Sequence, residues 1–403
     1  MAVNLIGHHR SDPGVLIAGG GLAAQRAVET LRRNGYDGVI RVISDEHEAP
    51  YDRPPLSKEY LGGHMDDDAL RFRGDDWYAA RDVELLLGAR AAALDPRNRE
   101  LVLASGERLA FSQLLIATGG VPRRLPGTRH LGNVHELRNV RDARRLRDAI
   151  ARAGRVVVIG AGFIGQEVAS TAHGVGAEVT IVEAAPAPLA ALLGTQLGHW
   201  FARLHREEGI DVHLSARIAR FHGADAVRAV DLEGGPRIEC DVVVVGIGTV
   251  PATAWVNGSG LDDGGIAVDA AGRTGIPGVF AAGDASKPFD TRRGAHVRAE
   301  HWEAAARQGA NAARAMLALE VPPPPPPTFW SDQHGLRIQY VGEARGADAV
   351  AIDGDPGDRD FTATFTDHGR PIAALLVGRP HALPELRRQI EQARSTTQEG
   401  TAA

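Results

Sequence analysis

One pattern limits how this chain can fold, and it occurs twice. The first copy runs from Val15-Leu16-Ile17-Ala18 through Gly19-Gly20-Gly21-Leu22-Ala23-Ala24 into a helical stretch reaching about Asn34. Gly35 closes that helix, and a strand Val39–Ile43 follows, ahead of Asp45 and Glu46. The second copy runs from Val156–Ile159 through Gly160-Ala161-Gly162-Phe163-Ile164-Gly165 and a helix to about Gly174, then a strand Glu178–Val182 ending at Glu183. In each copy the first glycine allows a tight turn and the second lets a ligand approach the backbone. The third small residue lets helix and strand pack closely. The helix start offers unpaired N–H groups and positive dipole to an anion in the turn. One such turn is a weak signal, but two in the same strand–helix–strand context predict two dinucleotide sites on two Rossmann-like domains.

The stretches after each copy turn strand-rich, with Leu85–Leu87, Leu101–Leu103 and Leu114–Ala117 in the first half and Val212–Leu214, Ala226–Leu232 and Val242–Val245 in the second. A strand at Val279–Phe280 runs into a turn at Gly283-Asp284, and Gly294–Leu319 reads as a helix. Six prolines, Pro322–Pro327, predict a stiff extended linker. The tail beyond it carries strand-like pieces (Leu336–Val341, Phe361–Phe365, Ile372–Val377) and a helix, Pro384–Arg394. The expected class is therefore α/β: two Rossmann-like domains plus a small C-terminal α+β domain. The boundaries expected are 1–122 with 251–321 for the first nucleotide domain, 123–250 for the second and 328–403 for the third.

Composition narrows the function. The 403 residues carry 45 basic and 51 acidic side chains, a net charge of −6, so no global basic field points to nucleic acid or anionic lipid. The apolar runs are too short for a membrane span, and Met1–Arg10 has no cationic leader with an apolar stretch behind it. A cytoplasmic protein is expected. Cys240, the single cysteine, excludes an intramolecular disulfide and an all-cysteine metal or iron–sulfur site within the chain, and reads as a buried small hydrophobe. The histidines, among them His8, His9, His296 and His301, show no ligand spacing, so no metal is expected. Glu183 has the spacing that hydrogen-bonds a free ribose 2′-hydroxyl and repels a 2′-phosphate, and no Arg or Lys occupies 184–190 to welcome that phosphate. NADH is favoured over NADPH there. Asp45 is expected to serve the adenosine of the other cofactor.

Thr274–Asp284, ending Ala281-Ala282-Gly283-Asp284, resembles the second flavin motif of the two-dinucleotide flavoproteins, in which the final Asp binds the ribityl chain of FAD. Ala117-Thr118-Gly119 resembles the hinge strand of that superfamily, and Val245-Gly246-Ile247-Gly248 its returning crossover. The stretch Arg53-Pro54-Pro55-Leu56-Ser57-Lys58 has no cysteine and resembles the NADH-dependent ferredoxin reductases of oxygenase systems, of the putidaredoxin reductase, rubredoxin reductase and aromatic-ring dioxygenase reductase type. The likeness continues through Val156–Ala169, Val297–Trp302 and Phe329–Gln333, covering about residues 12–380. Ala24 in place of a third glycine, the hexaproline and a dissimilar last stretch depart from the pattern.

The resemblance implies FAD and NADH as cofactors. Lys58 would lie near the flavin N5, with Glu167 facing it from the NAD side. Trp302 would lie by the flavin ring, and Trp330 would flank the flavin or nicotinamide. Lys58, Glu167 and Trp330 form the implied catalytic set. Arg138 matches an arginine that contacts FAD, Ala91 an adenine-contacting backbone position, and Arg53 belongs to the same cofactor-binding stretch. Lys58 and Lys287 are the two lysines of the chain, and Lys287 is expected to be exposed. The implied activity is hydride transfer from NADH and one-electron delivery to a [2Fe–2S] ferredoxin, or secondly a rubredoxin, feeding a P450 or a ring-hydroxylating oxygenase. Arg292, Arg293 and Arg298 are candidate docking residues, and a monomer or weak homodimer is expected. Two other readings stay open. One is an NADH oxidase or quinone-type reductase, and the other is an NADH-responsive binding protein like apoptosis-inducing factor.

Overall fold

The structure, a computed structural model, describes residues 12–261, 264–291 and 293–401, with backbone alone for 395–401. Met1–Arg10, with His8 and His9, and Arg292 lie outside the described residues. The chain packs as two compact units.

The first unit takes the residues up to Asp52, Leu70–Val121 and Val250–Pro324. Its centre is a parallel five-stranded sheet in the order Val279–Ala281, Gln113–Ile116, Val15–Ala18, Ile40–Ser44, Val83–Leu87. Side chains alternate across a strand, which explains why Val15–Ala18 is apolar throughout. Val15 and Ile17 enter one core with the helix Leu22–Arg33, while Leu16 and Ala18 enter another with Leu101, Phe111 and Ile266. The helix Trp302–Met316 packs on Leu22–Arg33 so closely that a Cβ on Gly309 would lie 2.0 Å from the Ala23 carbonyl oxygen. The helix expected over 294–319 is therefore shorter. Ala295–His296 instead pairs antiparallel with Phe289–Asp290, and His301 is extended at the helix N-cap.

The second unit takes Arg53–Ala69, Pro122–Thr249 and Pro325 onward. Its parallel sheet runs Asp211–His213, Glu178–Val182, Arg155–Ile159, Val242–Val245, Val134–His135. The same alternation holds, with Val156, Val158, Val242 and Val244 on one face and Val157, Ile159, Val243 and Val245 on the other. Cys240 is buried, and burial pushes its thiol up to about 11, as expected of an inert core residue. The C-terminal part is a five-stranded antiparallel sheet in the order Thr328–Gln333, Leu336–Gly342, Arg370–Val377, Asp360–Asp367, Ala349–Asp355. One face packs on Leu193, Leu197, Trp200, Phe201 and Leu204 of the helix Ala190–Glu207, and the other takes Ile390 of the helix Leu383–Thr401. The edge strand Ala349–Asp355 is exposed along its whole length.

Gly309→Ala should lower stability by about 2 kcal/mol in a urea melt, because the added methyl must displace backbone. Gly174→Ala, where a Cβ would meet nothing within 4 Å, should be neutral or slightly stabilising in the same assay.

Candidate functional site

Each glycine turn shows the same division of labour. Gly19 has φ +117° and Gly160 φ +101°, the left-handed side that favours glycine. A Cβ on Gly19 would lie 2.2 Å from the Ala117 carbonyl oxygen, and one on Gly160 would lie 2.4 Å from that of Gly246. The second glycines, Gly21 and Gly162, face open space, with nothing within 4 Å of a built Cβ. They cap the helices Leu22–Arg33 and Phe163–Gly174, and neither cap is closed by a side chain. Those free helix starts fit a pyrophosphate at both turns. The third positions differ. A Cβ on Gly165 would lie 2.0 Å from the Gly160 carbonyl oxygen, whereas Ala24 carries its methyl fully buried in the core.

Around the first turn, Thr118 Oγ1 donates to the Ala252 carbonyl (2.8 Å), and the Gly119 carbonyl accepts from the Ala252 N–H (2.9 Å). The Gly283 N–H donates to Gln308 Oε1 (2.7 Å), which leaves half-buried Asp284 at the head of the helical turn Gly283–Ala285. Trp302 Nε1 donates to Asp52 Oδ1 (2.7 Å), and the Arg26 guanidinium stands 5.9 Å over the indole. Ala91 opens the strand Ala91–Asp95. Asp45 is exposed, while its neighbour Glu46 is half-buried and accepts from the Tyr51 hydroxyl. Lys287, expected exposed, is half-buried on the strand Ser286–Asp290, where its side chain lies against Gly265.

Around the second turn, Glu183 accepts from the Ala161 N–H (2.6 Å) and the Ala185 N–H (2.7 Å), which holds its carboxylate beside the turn. Phe163 meets Phe329 edge-on at 4.7 Å, and Ile164 is 48% exposed. Gly248, with φ +93°, accepts from the Arg123 N–H. Arg53 Nη1 donates to the Arg138 carbonyl (2.7 Å).

The same helix carries Glu167, which is 2% exposed. Its Oε2 accepts from Lys58 Nζ (3.0 Å) and Ser57 Oγ (2.5 Å), and its Oε1 from Ser331 Oγ (2.7 Å). The Lys58 side chain is 10% exposed. Gln333 Nε2 donates to Ser331 Oγ (3.0 Å), which commits the serine proton to Glu167. Sequence reasoning paired Lys58 with Glu167 but missed Ser57 and Ser331, although both flank residues it had singled out. Trp330 lies next to Ser331 on the edge strand Thr328–Gln333, with the Arg337 guanidinium 5.2 Å over its ring. The arginine patch is partly self-neutralised: Arg293 pairs with Asp290 (3.6 Å) and Arg298 with Glu300. One exposed group, Asp348, Asp367 and His368, does bring a histidine within ligand reach of two acids.

Residues 13–309 match the pyridine nucleotide-disulphide oxidoreductase family. The chain belongs to this family. Residues 328–403 match the reductase C-terminal family. The ferredoxin–NAD(P)(+) reductase of Sphingomonas sp. is 34% identical over 364 residues, covering 89% of this chain and 88% of the relative. The biphenyl dioxygenase system ferredoxin–NAD(+) reductase component of Paraburkholderia xenovorans (strain LB400) is 38% identical, with 90% and 86% covered. Among solved structures, the covalent putidaredoxin reductase–putidaredoxin complex matches with a TM-score of 0.92 at 31% identity, covering 96% of this chain and 94% of that one. Members of the family use FAD and NAD(P)H, and the two open turns fit that pair.

Two consequences can be measured. Glu167→Ala leaves the Lys58 cation without its partner and should cost about 3 kcal/mol of stability, read by urea denaturation. Burial also holds His205 and His334 neutral, down to about 3 and about 4 from an ordinary 6.5. Between those values the unfolded chain binds more protons than the folded one. Stability should therefore be full above about pH 6.5 and fall as pH drops towards 4, and His334→Ala should flatten that slope.

Proposed function

We propose that this chain is the NADH-oxidising, FAD-binding reductase of an oxygenase system and delivers single electrons to a [2Fe–2S] ferredoxin. The observation that carries the reading is the pair of glycine turns, each open at its second glycine, in a chain without a redox disulfide. The full-length relatives named as ferredoxin reductases favour it over the oxidase and NADH-responsive binding readings. Residues 1–122 and 251–321 would form the FAD domain, 123–250 the NADH domain and 328–403 the interface domain. A cytoplasmic location goes with this role.

FAD, held at Gly19–Ala24, Thr118, Gly119, Asp284 and Trp302, supplies the conversion between a two-electron hydride donor and one-electron acceptors. The protein binds, orients and sets charge. Glu183 accepts the adenosine ribose hydroxyls of NADH and repels a 2′-phosphate. The Gly162 turn and the start of its helix hold the pyrophosphate. Lys58, fixed by Glu167, would supply positive charge to a reduced flavin, and Trp330 would face the nicotinamide. Hydride transfer requires no general base.

Anaerobic stopped-flow at the flavin absorbance maximum tests this. NADH should bleach the flavin quickly and NADPH far more slowly, and a [2Fe–2S] ferredoxin should then recolour it. Glu183→Ala should narrow the NADH preference by about tenfold, the loss expected from one hydrogen bond to a charged acceptor. A flavin-loaded protein that NADH fails to bleach would overturn the proposal.

A further inference from the structure

We infer that Gln166, locked in place by His205 and His334, aims the backbone N–H of Gly162 at the NADH pyrophosphate and is thus a positioning residue for the nucleotide. The inference rests on the reading of the Gly160–Glu183 unit as the NADH site.

The direction of one peptide group decides what the turn offers an anion. Ala161 donates its N–H to Glu183 and accepts, at its carbonyl, from Gln166 Nε2 at 3.0 Å. In a planar trans peptide the Ala161 C=O and the Gly162 N–H point in opposite directions. With the carbonyl turned inward to Gln166, itself 0% exposed, the Gly162 N–H is turned out to the open side of the turn. Glycine makes the opposite orientation easy as well. Without a donor on its carbonyl, that peptide is free to rotate and present an oxygen to the phosphates.

Gln166 has one orientation available. Its Nε2 donates to Ala161, so its Oε1 is the acceptor for His205 Nε2 at 3.1 Å. That bond places the His205 proton on Nε2 and leaves Nδ1 to accept from His334 Nε2 at 2.9 Å. His334 occupies the turn between the strands Thr328–Gln333 and Leu336–Gly342, and its own N–H donates to Ser170 Oγ at 2.8 Å. Every link therefore has a single polarity, from the C-terminal sheet through the helix Ala190–Glu207 to the nucleotide turn. His173, Glu208 and Arg359 face His334, and Glu208 and Arg359 are paired with each other at 2.6 Å. The two imidazoles stay neutral at physiological pH, so the chain of donors keeps its direction.

The test uses full-length, flavin-loaded protein and three variants. Each is measured for KM and kcat with NADH, for Kd of NAD+ by calorimetry, and for melting temperature. Gln166→Met keeps the length of the side chain and removes both hydrogen bonds. It should raise KM and Kd by about tenfold and leave kcat within about twofold, the pattern of lost ground-state binding. His334→Ala leaves Gln166 in place but unlocked, and should raise both by about threefold. Gln166→Glu still accepts from His205 but turns an ionised carboxylate towards the Ala161 carbonyl. It should bind NAD+ poorly at mildly alkaline pH and recover as the pH falls and the buried carboxyl takes up a proton. A role in packing alone gives no such recovery. Variants that bind NAD+ as the wild type does would overturn the inference, and His334→Ala decides it if the Gln166 variants do not fold. Failure of wild-type protein to accept hydride from NADH would instead strike at the function proposed above.

Discussion

A carboxylate taken out of water is the constraint around which the second unit is arranged. An ionised group at 2% exposure is tolerated when donors surround it, and Glu167 has three, from Ser57, Lys58 and Ser331. Carboxylate and donors come from three separate stretches of chain. The short segment after Asp52, the helix behind the second glycine turn and the first strand of the C-terminal sheet must all be in place before the charge is satisfied. Lys58 thus owes its position to the whole unit rather than to its own loop. The reverse also holds, since the loop is tied down by the helix through Thr171 Oγ1, which donates to the Ser57 carbonyl at 2.8 Å.

The two nucleotide turns show how much of a motif is backbone geometry. Both place the first glycine at positive φ against a neighbouring strand, and both leave the second facing open space. They part company at the third position, where Gly165 lets the helix close on the Gly160 carbonyl and Ala24 instead buries a methyl group in the core. In the first unit the closest approach is a different one, between two helices, where Gly309 meets the Ala23 backbone.

The parts legible in the sequence were those written in local chemistry. Continuous branched apolar runs became central strands, with Glu178–Val182 and Val242–Val245 at the expected residues. Glycine spacing located both turns. The exposed strand Ala349–Asp355 escaped notice because, with neither face buried, it has no alternation to read. Residues 294–301 have helix-forming composition, but pairing with the strand Ser286–Asp290 overrode it. The chain Gln166–His205–His334 left no local mark either. Each residue is unremarkable where it stands, and only the folded topology brings together positions so distant in sequence. Buried polar networks are long-range properties, and a pattern of neighbours does not encode them.

Two lysines among 45 basic residues give the protein an unusual chemical surface. Arginine keeps its charge and its forked donors but does not acylate under mild conditions. Apart from the terminal amine, primary amines are confined to Lys58, engaged with Glu167, and Lys287, half-buried on its strand. Carbodiimide coupling to the carboxylates of an acidic partner, the usual way to trap a transient electron-transfer pair, would thus have almost nothing to join. Trapping such a complex with carbodiimide would have to run the other way, from the 51 acidic side chains of this chain to the amines of the partner.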